Sequence, residues 1–214
     1  VHSAMPMRTA VHRCPQGIIV PPRFSRYKEK SEEVMSIFRD LTDLVEPLSM
    51  DEAYLDITAV VDGGEKPLAV ALDLKRRIFD ETGLIVSVGV GTCKTVAKIG
   101  SDLDKPDGLV VIQPGDEAEF LGPLAVSKLW GIGPKTAERL HGEGIKTIGQ
   151  LADQPLEWFA RTFGKRSASV RDKAMGRDDD AVHTESASKS ISSETTFVTD
   201  IGDETELRDV VERK

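Results

Sequence analysis

Two adjacent carboxylates, Asp51 and Glu52, are the side chains of this sequence best suited to metal chemistry. They lie in the segment LSMDEAYLD, residues 48–56. On a regular strand neighbouring side chains point to opposite faces, so both can reach one ion only at a turn or a strand end. Ser49 and Pro47 supply such a break, and Mg²⁺ prefers carboxylate oxygens together with substrate phosphates. The pair indicates either a Mg²⁺ site for phosphoryl transfer or, more simply, two solvated acids beside a strand.

A glycine-rich turn lies in the segment LWGIGPKTAERL, residues 129–140. Gly131 and Gly133 permit a positive φ and the close approach of a ligand, and Pro134 suits the first turn of a following helix. The free N–H groups at a helix start bind anions such as a DNA phosphate, which fixes register without reading sequence. We therefore predict a phosphate-binding hairpin. A tight turn between packed helices is the simpler alternative.

Basic side chains mark two further segments. Residues 161–177 contain six basic residues and one acid, so they could enlarge a phosphate-binding face or form a solvated helix face. The segment AKIGSDLDKPDG, residues 97–108, places a lysine between a helix end and a turn. Such a lysine can reach a triphosphate as a point charge, although a surface lysine is the simpler interpretation.

Composition limits the class of protein. The 214 residues allow one large domain or two to three small ones, and 39% apolar with 30% charged residues indicates a folded chain. The net charge of −8 argues against a uniformly basic nucleic-acid surface but permits a local basic patch.

No apolar run has the length of a membrane helix, so we expect no membrane partner. Two cysteines, Cys14 and Cys93, fit a reducing cytoplasm better than a disulfide framework. The chain begins at Val1 without a methionine and ends within a helix-like run. We therefore expect a fragment.

Apolar periodicity predicts the elements that must position these residues. Helices are expected over 29–45, 68–82 and 92–103, and strands over 54–57, 84–90 and 108–112. This alternation predicts a mixed α/β layer over about 47–114, preceded by loop and short extended pieces over 1–22. Beyond it we expect short helices over 114–176, a Ser/Thr/Asp-rich linker over 178–193, and a new strand over 195–199.

Together these segments resemble the Y-family translesion DNA polymerases. The matching pieces follow the family's order and cover nearly all of the chain; they are SAMPM (3–7), residues 49–56, SVGVG (87–91), residues 97–108, residues 130–140 and KSISSETTF (189–197). The resemblance implies an α+β fold with a mixed-sheet palm, partial fingers and a small all-α helix-hairpin-helix thumb. The implied domains are partial fingers (1–25), palm (26–113), thumb (114–178), linker (179–189) and the start of the little finger (190–214).

The resemblance also implies roles for single residues. Asp51 and Glu52 would be catalytic carboxylates and metal ligands in a site that takes two Mg²⁺ ions. The nucleotide-binding residues would be Lys105 at the triphosphate and Ser3, Ala4 and Met5 near the templating base. The DNA-binding residues would be Gly131, Ile132, Gly133, Lys135, Lys165 and Arg166.

The implied function is template-directed, error-prone translesion synthesis by transfer of a nucleotide from a dNTP to a primer 3′-hydroxyl. The implied partners are primer–template DNA, a dNTP and a sliding clamp, for a monomer that is cytoplasmic and joins the nucleoid when on DNA. The family's first metal-binding aspartate, its steric-gate aromatic residue and most of its little finger are absent from this chain, so we expect an incomplete active site.

Three alternatives remain open at this point. One is a non-catalytic helix-hairpin-helix DNA-binding module of a repair protein, which predicts duplex binding without turnover. Another is a helix-hairpin-helix nuclease, which needs more acidic clusters than the sequence offers. The third is a purely structural α/β domain, which leaves residues 131–135 unexplained.

Overall fold

Helices account for most of the regular structure in the computed structural model, which describes residues 1–185, 190–197 and 199–212. The first half contains α1 (Met7–Arg13), α2 (Phe24–Leu41), α3 (Thr58–Asp62), α4 (Pro67–Thr82) and α5 (Lys94–Leu103). The second half contains α6 (Glu117–Leu121), α7 (Pro134–Gly142), α8 (Ile148–Ala152), α9 (Leu156–Phe163), α10 (Ser167–Ala174) and α11 (Glu204–Glu212), with 3₁₀ turns at Val126–Lys128 and Gly164–Arg166. Residues Val1–Thr184 form one compact unit, and the second unit, Glu185–Lys214, contains α11.

The described residues contain four short strands, which form two pairs. Strands β1 (Val45–Pro47) and β2 (Ala53–Leu55) are antiparallel. Strands β3 (Val88–Val90) and β4 (Leu109–Val111) are parallel. The predicted α+β class with a following helical region is confirmed. The strands of the predicted mixed α/β layer are only three residues long, and they form two separate two-stranded sheets, one antiparallel and one parallel.

Two predicted boundaries move because of backbone pairing. Helix α2 ends at Leu41, short of the predicted residue 45, because the following chain pairs with the end of β2. The carbonyl of Asp56 accepts from Thr42 Oγ1 at 2.8 Å, and the Asp56 amide donates to the carbonyl of Leu44 at 3.0 Å. These bonds direct residues 42–44 into β1, a strand that helical periodicity concealed.

The strand predicted over 84–90 begins only at Val88. Leu84 and Ile85 are 40% and 56% exposed. Gly83 ends α4 in the left-handed conformation, with φ of 71°. Pairing with β4 is limited to residues 88–90, so residues 84–87 have no ladder to join.

Two further expectations are wrong at the ends of the chain. Residues 1–22 are not all loop, because α1 follows Pro6 at the helix start, a position where the missing proline N–H costs no helical bond. Residues 195–197 and 199 form no strand, since an isolated strand gains no ladder hydrogen bonds. Val198 of that prediction and residues 186–189 of the predicted linker lie outside the described residues.

Two apolar cores organise residues 1–184. The smaller contains Ile37 of α2 with Leu74 and Ile78 of α4. The larger fills the helical region and also takes Val96 and Ile99 from α5. Helix α5 therefore belongs structurally to both the sheet-bearing and the helical regions.

A buried lysine ties the chain that follows α10 to the sheet-bearing region. Lys94 Nζ lies 2.5 Å from Glu46 Oε2 and 3.0 Å from Asp180 Oδ2. The amide of His183 donates to Glu46 Oε2 at 2.8 Å, and Thr95 Oγ1 donates to Asp178 Oδ2 at 2.6 Å. Burial alone would lower the pKa of Lys94, but its hydrogen bonds to the two carboxylates outweigh burial and raise that pKa. Much of the predicted linker's first part is thus fixed to β1 and α5.

Replacing this lysine should destabilise the fold. Lys94→Met leaves Glu46 half-buried without its ammonium, and we expect the free energy of unfolding at neutral pH to fall by about 2 kcal/mol. The pKa of Glu46 lies below its ordinary value of 4.5, because the bonds from Lys94 and His183 outweigh burial. The pair's contribution is therefore present above that pH and lost as pH falls through the lowered pKa. Urea unfolding of parent and variant should show a difference that shrinks below pH 4.5; a difference independent of pH would contradict the ion-pair origin.

Candidate active site and nucleic-acid interface

The two adjacent carboxylates lie in the turn between β1 and β2, where the sequence predicted a break. The Glu52 carbonyl closes the turn by accepting from the amides of Leu48 at 2.9 Å and Ser49 at 3.3 Å. Ser49 Oγ donates to Asp51 Oδ1 at 2.6 Å, and the Asp51 amide donates to Ser49 Oγ at 3.2 Å. Asp51 is therefore held in place by Ser49, a residue of the same turn.

Glu52 is fixed from outside the turn by helix α5. Lys98 Nζ donates to Glu52 Oε1 at 2.9 Å and to Asp102 Oδ2 at 3.0 Å. Lys105 Nζ lies 2.6 Å from Asp102 Oδ1. These four side chains, Glu52, Lys98, Asp102 and Lys105, form an alternating row of charges that we call the charge row. It joins the predicted catalytic carboxylate to the predicted triphosphate lysine.

The two central members of the charge row, Lys98 and Asp102, keep their charges despite partial burial. Burial would lower the pKa of Lys98, but the hydrogen bonds to Glu52 and Asp102 outweigh it and raise that pKa. Burial would raise the pKa of Asp102, but the bonds from Lys105 and Lys98 lower it below its ordinary value. Lys98 and Asp102 are therefore both charged at neutral pH.

The turn offers the type of ligand that a hard divalent cation prefers, but fewer ligands than a complete metal site has. Asp51 is exposed and Glu52 half-exposed, so both offer carboxylate oxygens to solvent. Within the described ranges, no group of three or more His, Cys, Asp or Glu side chains is arranged to surround a metal. The turn therefore offers two carboxylates, Asp51 and Glu52, to a cation.

Ser3, Ala4 and Met5 lie in a tight turn that precedes α1. The Met5 amide donates to the His2 carbonyl at 3.3 Å, and His2 Nδ1 lies 2.7 Å from the Ser3 carbonyl. Ala4 has a φ of 59°. In the described part of the chain, the hydrogen bonds of residues 2–5 stay within this turn, and none of them joins the charge row.

The predicted hairpin ends at the start of α7. Gly131 has a φ of 91°, and Pro134 is the first helical residue. The first N–H groups of a helix have no carbonyl partner within it, so the start of α7 offers donors beside the exposed Lys135. Ile132 is only 6% exposed. Its side chain belongs to the core, and only its backbone can face a ligand.

The basic segment packs against the hairpin. Arg166 Nη2 donates to the Gly131 carbonyl at 3.1 Å. Lys173 Nζ lies 5.2 Å from the ring centre of Trp130, which is 62% exposed. Lys165 is exposed in the same 3₁₀ turn as Arg166. Arg166 therefore orients the hairpin in addition to presenting charge beside it.

Sequence reasoning missed three residues of this site. Ser49 was used only as a strand break, and the segment that contains Lys98 and Asp102 was interpreted through a single lysine beside the turn. The spacing of Lys98 and Asp102, four apart on a helix, indicates a same-face ion pair. Their contact with Glu52 has no sequence signal, because it joins α5 to a turn 46 residues earlier.

Comparison with known proteins assigns the family. The impB/mucB/samB family matches residues 1–102, and the HHH motif of the same family matches residues 114–145. The two matches cover more than half of the chain and include both the acidic turn and the hairpin. The chain belongs to this family, the Y-family of DinB-like DNA polymerases.

Individual relatives agree with this family assignment. The chain is 43% identical to DNA polymerase IV 2 of Agrobacterium fabrum, over 100% of this chain and 61% of that protein. It is 43% identical to DNA polymerase IV of Pseudomonas aeruginosa, over 95% of this chain and 58% of that protein. It thus spans about three fifths of the curated relatives' length.

Solved structures show the same fold. The crystal structure of DinB from Sulfolobus solfataricus matches with a TM-score of 0.79 and 32% identity, over 86% of this chain and 55% of that one. An insertion ternary complex of Dbh DNA polymerase matches with a TM-score of 0.77 and 32% identity, over 85% and 54%. The α+β architecture described above is therefore that of Y-family polymerases.

Proposed function

We propose that the protein carrying this sequence performs template-directed DNA synthesis, including synthesis past damaged template bases, by transferring a nucleotide from a dNTP to a primer 3′-hydroxyl. The observation that carries the proposal is the charge row, which connects the acidic turn to Lys105 in a chain of this family. A phosphoryl transfer needs carboxylates for metal ions and a cation for the triphosphate, and both lie within one network.

In this proposal Asp51 and Glu52 hold Mg²⁺, which neutralises charge on the reacting phosphates when it is bound. Lys105 exchanges its Asp102 partner for the triphosphate and balances the triphosphate's charge. Ser3, Ala4 and Met5 border the templating base. The small side chains of Ser3 and Ala4 leave room for a distorted template.

The hairpin binds the DNA backbone in this proposal. The backbone N–H groups of residues 131–133 and the start of α7 contact phosphates of the primer strand. Lys135, Lys165 and Arg166 add positive charge at the same face. These contacts are independent of sequence, as a polymerase requires while it moves along a template.

The remaining partners follow from the family. We propose a monomer that works in the cytoplasm on nucleoid DNA and receives its processivity from a sliding clamp. In the described ranges, no helix is both long and apolar enough to cross a bilayer.

Primer extension tests the proposal. The full-length protein should extend a primer with Mg²⁺ and dNTPs on an undamaged template and past an abasic site. Duplex binding without any extension would instead favour the helix-hairpin-helix binding module. We favour the polymerase over the binding module, because α5 links the acidic turn to the helical region. It carries Lys98, which contacts Glu52, and it contributes Val96 and Ile99 to the core of the helical region.

The proposed role of the hairpin can be tested separately by measuring DNA affinity. We expect Lys135→Ala to weaken primer–template binding a few-fold for all sequences and to reduce the salt slope by about one. Fluorescence anisotropy at several salt concentrations measures both quantities. Lys28→Ala, on the exposed face of α2, is the control and should change neither; an unchanged salt slope in Lys135→Ala would remove Lys135 from the interface.

A further inference from the structure

We infer that Lys98 is the positioning residue of Glu52: it orients the catalytic carboxylate from a rigid helix, and Asp102 braces it. The inference rests on the proposed function and adds a residue to its site. Lys98 itself does not contact the reacting groups in this account, and it acts through Glu52.

The turn between β1 and β2 does not by itself fix the side chain of Glu52. Glu52 lies in a five-residue connection, residues 48–52, between two strands of three residues each. Its side chain is 39% exposed, so the turn alone leaves it free to change rotamer. Asp51 has Ser49 within the turn. Lys98 Nζ supplies the corresponding contact for Glu52.

Lys98 is itself held in place by partial burial and by a second carboxylate. Its side chain is only 17% exposed, whereas that of Lys105 is 51% exposed. Asp102, one helical turn later, accepts a second bond from the same ammonium at 3.0 Å. A lysine with two carboxylate partners has lost most of its rotamer freedom, so it can transmit the position of α5 to Glu52.

Helix α5, which carries Lys98, is held in place by its packing. Helix α5 lies against β3, where an added Cβ on Gly89 would meet the Ala97 carbonyl at 2.0 Å. This close backbone contact and the burial of Val96 and Ile99 leave α5 little room to move. The contact with Glu52 uses Oε1, so a cation can bind at the carboxylate's other oxygen while Lys98 retains its bond.

Single-turnover dNTP incorporation by the full-length protein tests the inference. We expect Lys98→Met to lower the maximal rate roughly 10- to 100-fold, because misplacement by about 1 Å has effects of that size. The dNTP concentration at half-maximal rate should change less than about threefold, because Lys105 is retained. Lys98→Arg should recover part of the rate, since it keeps the charge and the donors. Lys28→Met, the same change in an exposed ion pair of α2, should equal the parent.

A second readout does not depend on activity. Mn²⁺ binding, followed by electron paramagnetic resonance, should be undiminished in Lys98→Met, because removing a nearby cation does not weaken attraction of another cation. A lower rate with undiminished Mn²⁺ binding and an unchanged unfolding temperature supports positioning. A rate within twofold of the parent, or a loss that parallels Mn²⁺ affinity or the unfolding temperature, overturns it.

Failure of the proposed function can be distinguished from failure of this inference alone. If the parent extends no primer, the proposed function fails and this inference fails with it; if the parent extends and Lys98→Met extends equally well, only the inference fails. If Lys98→Met does not fold, Asp102→Asn replaces it. That variant should lower the maximal rate several-fold by loosening Lys98, and an unchanged rate would overturn the inference.

Discussion

Gly89→Ala is expected to reduce the free energy of unfolding by more than about 3 kcal/mol, beyond the ordinary range for overpacking a core. A Cβ at this position would lie 2.0 Å from the Ala97 carbonyl oxygen and 2.4 Å from the Ser101 amide nitrogen. Both are backbone atoms of α5, so no side-chain rotation relieves the clash. Either the helix moves away from β3 or the pair does not form.

Gly142→Ala is the matched control for this substitution. Gly142 is the last residue of α7, and an added Cβ there meets nothing within 4 Å. We expect it to be neutral or slightly stabilising. Urea unfolding of both variants measures the difference, and a Gly89→Ala protein as stable as the parent would contradict the close contact of α5 with β3. Because α5 carries Lys98, any folded Gly89→Ala protein should also lose the proposed polymerase activity.

Glu52→Gln in the full-length protein is expected to lower the rate of nucleotide incorporation at least roughly 10³-fold, which corresponds to about 4 kcal/mol of transition-state stabilisation. Glutamine keeps the shape of the side chain and an acceptor for Lys98, but it removes the negative charge that a metal ion requires. Primer–template affinity should change little, since in the proposed function the DNA contacts come from the hairpin around Gly131.

The control for Glu52→Gln is Glu32→Gln, an exposed residue of α2 whose ion pair with Lys28 has a distance of 3.8 Å. It should retain the parent's rate. Rapid-quench measurement with saturating dNTP gives the rate, and anisotropy gives the DNA affinity. A Glu52→Gln protein within tenfold of the parent would mean that the acidic turn is not the catalytic centre.

Much of the fold could be predicted because local patterns and packing agree. The helix predicted over 68–82 corresponds to α4, which places Leu74 and Ile78 in the core at helical spacing. The hairpin was predictable because glycine at 131 is required by its positive φ and Pro134 starts α7. The strand break at residues 48–52 was predictable from Ser49 and Pro47.

The parts of the fold and of the site that could not be predicted depend on contacts between distant segments. The end of α2 is set by Asp56, 14 residues beyond Thr42, and no property of residues 42–45 reveals it. Likewise the extent of β3 is set by where β4 pairs. Gly89 did carry a signal, because a glycine within a strand often marks a close approach of another backbone. The bond from Lys98 to Glu52 carried none, which is why the charge row emerges only from the structure.

The central claim, that the protein with this sequence copies a template, is tested most directly by single-nucleotide insertion. The full-length protein with Mg²⁺ receives one dNTP at a time on four primer–templates that differ only in the templating base. Our account predicts that the complementary dNTP is preferred on each template and that Glu52→Gln inserts none at a comparable rate. Insertion that does not follow the templating base, or no insertion while the primer–template is bound, would contradict the account.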